Sequence, residues 1–321
     1  MEKDHTSQLF RTPVAIGSIA RPLTAGDTSV FLGSCFAEHI GSKFAEQGLL
    51  TTVNPLGVMY NPMSISRLLS TAESNADRDF AEHGGMWHTW LGDSSLSCPS
   101  QSECQRLTDE ALARLHKALS EADNLFLTLG TSHYYMLRNG DGQCVANCHR
   151  FPASTFEEAE LETDDIVAAL EETLTAWHER NPRLQVIFTV SPYRYAKYGF
   201  HQSQLSKSRL LLAIDKLCRK LPKWTSYFPA YEIVIDELRD YRFYADDMLH
   251  PSAQAVDYIW QRLTESWMAD DMLAFLRRSV PLHQALNHRP LNVANPAYQA
   301  FRRKTEEQLE ALRKDYPNLN L

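Results

Sequence analysis

The sequence predicts an α/β fold in which a parallel five-stranded sheet is covered by helices on both faces. Short apolar runs near residues 30, 50, 125, 186 and 227 have the length and composition of buried strands. Amphipathic helical stripes fall between them, and strand–helix alternation of this kind implies parallel pairing with both faces covered. The turns richest in small and reactive residues come at or just after the carboxyl ends of these runs, where chemistry collects in open α/β sheets.

The first 27 residues are mixed and read as a wrap around the edge of the first strand. Val30-Phe31-Leu32 is that strand. Gly33-Ser34-Cys35 makes a small-residue turn, and Phe36, Ile40 and Phe44 recur every four positions as a helical stripe over 36–47. Leu49–Val53 is a short strand that breaks at the Asn54-Pro55-Leu56-Gly57 turn, and Pro62 opens a helix through Leu69. Residues 72–103 are polar and irregular and read as a loop insertion.

Leu107 to Ala122 is amphipathic, and Asn124–Leu129 is a strand ending in Gly130-Thr131-Ser132-His133. Residues 138–155 look like a hairpin excursion around Asn139-Gly140-Asp141-Gly142. Thr163 or Asp164 caps a helix that reaches Trp177. Leu184–Val190 is a further buried strand, Leu205–Leu221 a helix, and Ser226–Phe228 a last short strand. Pro251 opens a helix through Leu263, and the tail beyond residue 270 is helical and increasingly polar. Lys207-Ser208 reads as a solvated turn near a helix start. The charge run from Arg302 onward reads as a solvated helix face. Five strands in this sequence suit a three-layer α/β/α arrangement with flavodoxin-like strand order.

Composition narrows the function class. A formal charge of −8 advertises no basic face for nucleic acid. No apolar run is long enough to span a bilayer, so no membrane association is expected. The amino-terminal stretch has no apolar signal core, which points to a cytoplasmic protein whose six cysteines stay reduced. Cys144, Cys148 and His149 lack the ligand spacing of a structural zinc site, so neither a metal nor another cofactor is expected.

Four pieces carry chemistry. Ser34 and Cys35 are nucleophiles at the first strand's turn. Gly57 offers a backbone N–H for an oxyanion. Gly130–His133 follows the third strand. Asp247, with Asp246 as its neighbouring rival, lies three residues before His250, and a carboxylate at that spacing can orient an imidazole as general base. His133 and His149 are candidates for substrate contact.

Gly33-Ser34-Cys35-Phe36-Ala37 resembles the eponymous motif of the GSCFA domain family. Asn54-Pro55-Leu56-Gly57, Tyr60-Asn61-Pro62, Asn147-Cys148-His149, Thr189-Val190-Ser191-Pro192 and Asp247-Met248-Leu249-His250-Pro251 also look like that family's blocks, over roughly residues 12–290. The family is similar to SGNH (GDSL-type) hydrolases, a superfamily of esterases, lipases, thioesterases and carbohydrate deacetylases. That resemblance implies an SGNH-hydrolase-like domain over 1–290 and a polar helical extension over 291–321. Laid over the superfamily's first block, Gly-Asp-Ser, the nucleophile position is Cys35 and Ser34 replaces the aspartate. The second-block glycine matches Gly57. The third-block asparagine is replaced by Ser132. The last block, Asp-x-x-His, is intact as Asp247 and His250.

Together these imply hydrolysis or transfer of an acyl ester or thioester, on a carbohydrate or small metabolite. His250, held by Asp247, would activate Cys35, with Ser34 as the alternative nucleophile, and the N–H groups of Cys35 and Gly57, helped by Ser132, would meet the oxyanion. The rival expectation is an inactive SGNH-like module that binds a ligand.

Overall fold

The computed structural model describes residues 11–74, 79–139, 142–288, 292 and 295–319. In chain order its elements are β1 (Ser29–Gly33), α1 (Cys35–Glu46), β2 (Thr51–Val53), α2 (Pro62–Ser74), β3 (Phe80–His83), β4 (Met86–Thr89), α3 (Gln101–Glu121) and β5 (Asn124–Leu129). There follow β6 (His133–Leu137), β7 (Cys144–Val145), β8 (Phe156–Glu160), α4 (Thr163–Arg180), β9 (Gln185–Val190) and α5 (Phe200–Lys220). The last are β10 (Thr225–Tyr227), α6 (Ala230–Glu232), α7 (Ala253–Trp267), α8 (Asp270–Asn287) and α9 (Pro296–Asp315).

Five of the strands form one parallel sheet in the order β10-β9-β5-β1-β2, the flavodoxin-like order. Its two faces follow from the two-residue period of a strand. Val30 and Leu32 of β1, Leu125, Leu127 and Leu129 of β5, and Val186, Phe188 and Val190 of β9 face one core, shared with α2, α3, α4 and α5. The intervening Phe31, Phe126 and Ile187 face the other core, shared with α1, α7 and α8. Phe31 stacks on Phe126 with ring centroids 4.3 Å apart, and Phe44 of α1 closes over both. The result is a three-layer α/β/α sandwich. Among the described residues no helix is long and apolar enough to cross a membrane.

Several elements differ from the sequence reading. The 72–103 stretch carries the last turn of α2, the antiparallel hairpin β3–β4 and the start of α3. Trp87 bridges to Cys98, which folds this stretch back on itself. The excursion after β5 is a small antiparallel sheet, β7-β6-β8, although its expected tip at Gly140 and Asp141 lies outside the described residues. Helix α4 is capped by Glu162, whose side chain and that of Asp165 form a reciprocal box, so Thr163 and Asp164 already lie inside the helix. Lys207 is in the second turn of α5 and is 2% exposed, so the solvated reading fails for it, while Ser208 is exposed. The charged helix α9 packs on α8 through Leu312, with Tyr316 just beyond its end against Phe275, and keeps its ion pairs outward.

One buried carboxylate ties the amino-terminal segment to this frame. Glu237 sits in a π-helical turn, Ile233–Leu238, and accepts hydrogen bonds from the Val14 amide and the Tyr258 hydroxyl, with Arg262 at 3.5 Å. Removing one member of such a buried charged set leaves the others without a partner. Glu237→Gln is expected to lower stability by roughly 3 kcal/mol. Urea unfolding measures this, and an unchanged midpoint would show that the segment is held by its apolar contacts alone.

Gly33 is the other point where substitution has a defined cost. Its φ is +132°, and a Cβ there would lie 2.2 Å from the Thr128 carbonyl oxygen of the neighbouring strand. Backbone at the centre of a sheet cannot retreat as a side chain would. Gly33→Ala is expected to cost at least about 3 kcal/mol. A loss well under 1 kcal/mol in the same unfolding measurement would contradict this packing.

Candidate active site

The site begins where β1 gives way to α1. The Asn54 side chain grips the Gly33 peptide from both sides, accepting from its N–H at 2.9 Å and donating to its C=O at 3.2 Å. The same carbonyl receives the Met59 amide at 2.9 Å. Asn54 itself has φ of 37°, which a short polar side chain tolerates. The second strand's turn thus fixes the first strand's exit.

Ser34 and Cys35 come out of this turn with different jobs. Ser34 is 1% exposed and is the N-cap of α1, its hydroxyl accepting from the Phe36 amide at 3.3 Å. Cys35 is the first residue of the helix and is half-buried. Burial and the nearby Glu38 push its thiol up from the ordinary value. The Phe36 and Cys35 amides at the helix N-terminus, together with Lys207, pull the other way without cancelling the rise. The resting group at neutral pH is the thiol, which needs a base before it can attack.

A cleft of about 280 Å³ opens over Cys35, lined by Ser34, Cys35, Tyr60, Gly130, Ser191, Tyr193, Tyr195, Lys197 and His250. These come from the carboxyl ends of β1, β2, β5 and β9 and from the loop before α7. In that loop the His250 Nδ1 lies 2.5 Å from Asp247 Oδ2, while Asp247 Oδ1 accepts from the Leu249 and His250 amides, each at 2.9 Å. These donors pull the Asp247 carboxyl down to about 2. A carboxylate can only accept, so Nδ1 carries the proton and Nε2 keeps the lone pair that a general base needs. Asp247, rather than its neighbour Asp246, makes this contact. The Tyr193 ring lies 4.4 Å from the imidazole, and Arg194 bonds through its amide and guanidinium to the Leu249 and Met248 carbonyls, so the β9 loop holds the histidine loop in place.

Four residues expected at the site are engaged elsewhere. The Gly57 N–H is bonded to the Asn54 carbonyl at 2.8 Å, and its φ of +88° lets the chain pass the Asp93 carboxylate, where a Cβ would sit 2.0 Å from Cγ. It therefore serves the turn and has no amide proton left for an oxyanion. Ser132 is fully buried, donating its hydroxyl to Glu160 at 3.0 Å and its amide to Ser206 at 2.8 Å. His133 stacks on Tyr198 at 3.9 Å, and burial depresses its proton affinity. His149 stacks on His88, with Nε2 2.9 Å from the Thr89 carbonyl and Nδ1 3.2 Å from the Ser94 hydroxyl. Its Nε2 must donate to that carbonyl, and the ring pins the insertion rather than walling the cleft.

Sequence reasoning missed the tyrosines and Lys207. Tyr60 and Tyr195 are each pushed up to about 12, first by burial, so both are neutral hydroxyl donors in the physiological range. Lys207 carried a readable signal: it shares the i, i+3, i+7 face of α5 with Leu210 and Ile214, a core position. Among the described residues no group of three or more His, Cys, Asp or Glu side chains is arranged to hold a metal ion.

No curated protein sequence matches the chain. Among solved structures it is similar to a carbohydrate esterase family 3 protein from Talaromyces cellulolyticus, at 10% identity and TM-score 0.32 over 74% of this chain and 95% of that one. It is similar also to an acetyl xylan esterase from the rumen bacterium Butyrivibrio proteoclasticus, at 15% identity and TM-score 0.32 over 83% of this chain and 66% of that one. At that score the likeness says nothing about chemistry. Residues 281–321 match the C-terminal domain of GSCFA domain proteins. Residues 28–263, which contain the Gly33–Cys35 turn and the Asp247–His250 loop, match the GSCFA family model, and the chain belongs to the GSCFA family.

Proposed function

We propose that the protein hydrolyses or transfers an acyl group held as an ester or thioester, with Cys35 as nucleophile, His250 as general base and Asp247 as the group that orients it. One observation carries the reading: a helix-N-terminal thiol and an imidazole with its Nδ1 fixed by a carboxylate open onto the same cleft. His250 Nε2 takes the thiol proton, and sulfur attacks the acyl carbonyl. The proton then passes to the leaving oxygen or sulfur, and a water or alcohol activated by the same imidazole releases the acyl group.

With Gly57 and Ser132 occupied elsewhere, the oxyanion would be met by the Cys35 amide at the head of α1 and by the Tyr60 hydroxyl, both on the cleft wall. The size of the cleft favours a small acyl group with about one ring of its carrier. The tyrosine faces and hydroxyls suit an acylated carbohydrate or comparably polar metabolite. Ser34 is disfavoured as nucleophile because its oxygen caps the helix and is shut away from solvent. The reassigned oxyanion residues favour the second reading, an inactive binding module.

Intact-mass measurement with p-nitrophenyl and thioester acyl donors tests this. An adduct is expected in the wild type, absent from Cys35→Ala, retained in Ser34→Ala, and formed on the order of 100-fold more slowly in His250→Ala. An adduct lost only in Ser34→Ala would move the nucleophile by one residue. No adduct with any donor would favour the binding module.

The raised thiol value has its own consequence. Only the thiolate is alkylated, so the iodoacetamide rate at Cys35 should climb with pH along a curve displaced above that of a free thiol, whose midpoint is about 8.5. A curve displaced below it would mean a resting thiolate and remove the need for His250 in the first step.

A further inference from the structure

Lys207 is unusual for a lysine: it is 2% exposed, on the core face of α5. Its Nζ donates to the Gly130 carbonyl at 2.6 Å and to the Ser191 carbonyl at 2.8 Å. Those carbonyls close the carboxyl ends of β5 and β9, and Gly130 and Ser191 line the cleft over Cys35. The Tyr231 ring lies 5.8 Å from the amine, with its hydroxyl turned to Gln204. Among the described residues no carboxylate pairs with this amine, and the one ionisable group that acts on it is Cys35.

Charging an amine held only by two buried carbonyls and a ring face is costly, because dipoles replace hydration incompletely. A purely structural residue at this point would do better as methionine or leucine. A counter-charge is needed only if a negative charge forms nearby, and the first strand's nucleophile is where one would form.

We propose that Lys207 is the buried counter-charge of the Cys35 thiolate, a positioning residue that binds the β5 and β9 ends together and stabilises the ionised sulfur from beneath the cleft floor. The proposal rests on the reading of Cys35 as nucleophile. Burial pushes the amine down to about 7, even against the opposing pull of the Cys35 sulfur. Thiol and amine therefore titrate as a coupled pair. The other ionisable groups facing the sulfur or lining its cleft are Glu38 on its own helix, Tyr60 after β2, Tyr193, Tyr195 and Lys197 after β9 and His250 before α7. The Lys197 ammonium is turned to the Tyr135 and Tyr198 hydroxyls, with Glu158 at 3.8 Å. Ser206, one residue before Lys207, serves the same junction: its hydroxyl accepts from the Ser132 amide and pairs with the Thr131 hydroxyl. One turn of α5 thus secures the whole floor.

The test is the pH dependence of Cys35 alkylation in the wild type, Lys207→Met and Lys207→Arg, read by mass spectrometry, with thermal melting to show that each variant is folded. Lys207→Met should alkylate about tenfold more slowly near pH 7.5, with its whole curve displaced upward, and Lys207→Arg should recover part of the rate. A folded Lys207→Met with the wild-type curve would overturn the proposal. Should Lys207→Met fail to fold, lysine 13Cε NMR on the wild type and Cys35→Ala decides it. Coupling is reciprocal, so loss of the thiol should move the Lys207 titration to lower pH by about one unit. An unmoved midpoint would overturn the pair. Neither readout needs an acyl donor. Coupling without any acyl adduct would sink the proposed reaction alone, and an acyl adduct without coupling would sink only the counter-charge.

Discussion

The constraint on which the rest depends is the passage from β1 to α1 through a peptide with no room for a side chain. Gly33 presses against the Thr128 carbonyl, is held on both faces by the Asn54 amide, and passes its own carbonyl to Met59. Three strands therefore agree on one point in space. From there the helix can start only with Ser34 as cap and Cys35 as first residue, because Ser34 N–H is already bonded to Thr128 and its hydroxyl must satisfy the Phe36 amide. The division of labour between a capping serine and a cleft-facing cysteine follows from the backbone rather than from the relative reactivity of the two side chains.

Around that point the site is assembled from opposing tendencies. Burial makes the thiol harder to ionise, and the helix amides and Lys207 make it easier. The proposed base is placed the other way: His250 and Asp247 are 42% and 44% exposed, so their pairing is fixed by the two loop amides more than by exclusion of water. A half-buried thiol beside a wetter imidazole suits proton transfer on demand. A standing ion pair would need the thiolate to be favoured at rest, and here it is not.

Much of this was legible because it is local. The strands near 30, 125 and 186 and the two-faced pattern of their residues can be read from apolar runs, and the Asp-x-x-His loop from spacing alone. The errors share a physical cause: each turned on a hydrogen-bond partner or a burial that residue type and spacing do not show. Gly57 reads as a free amide until its partner Asn54 is seen three residues back, and Asp93 arrives from an insertion that looked irregular. Ser132 reads as an oxyanion residue until the β6–β8 sheet sets Glu160 beside it. Lys207 reads as solvated because lysine almost always is, although its helical register already placed it among leucines.

The buried Ser132 and the buried lysine have one origin. After β5 this chain turns straight into β6, and Thr131 and Ser132 are held back by Ser206 and Glu160. That leaves the Gly130 carbonyl, an acceptor, turned toward the floor, and an acceptor beneath a developing negative charge is unfavourable. Lys207 occupies that carbonyl and the Ser191 carbonyl together. On the proposed reading, the protonated amine over both acceptors would reverse the sign of the field that the floor presents to sulfur. The lysine is then the natural companion of the turn into β6, because without it both carbonyls would lose this shared donor.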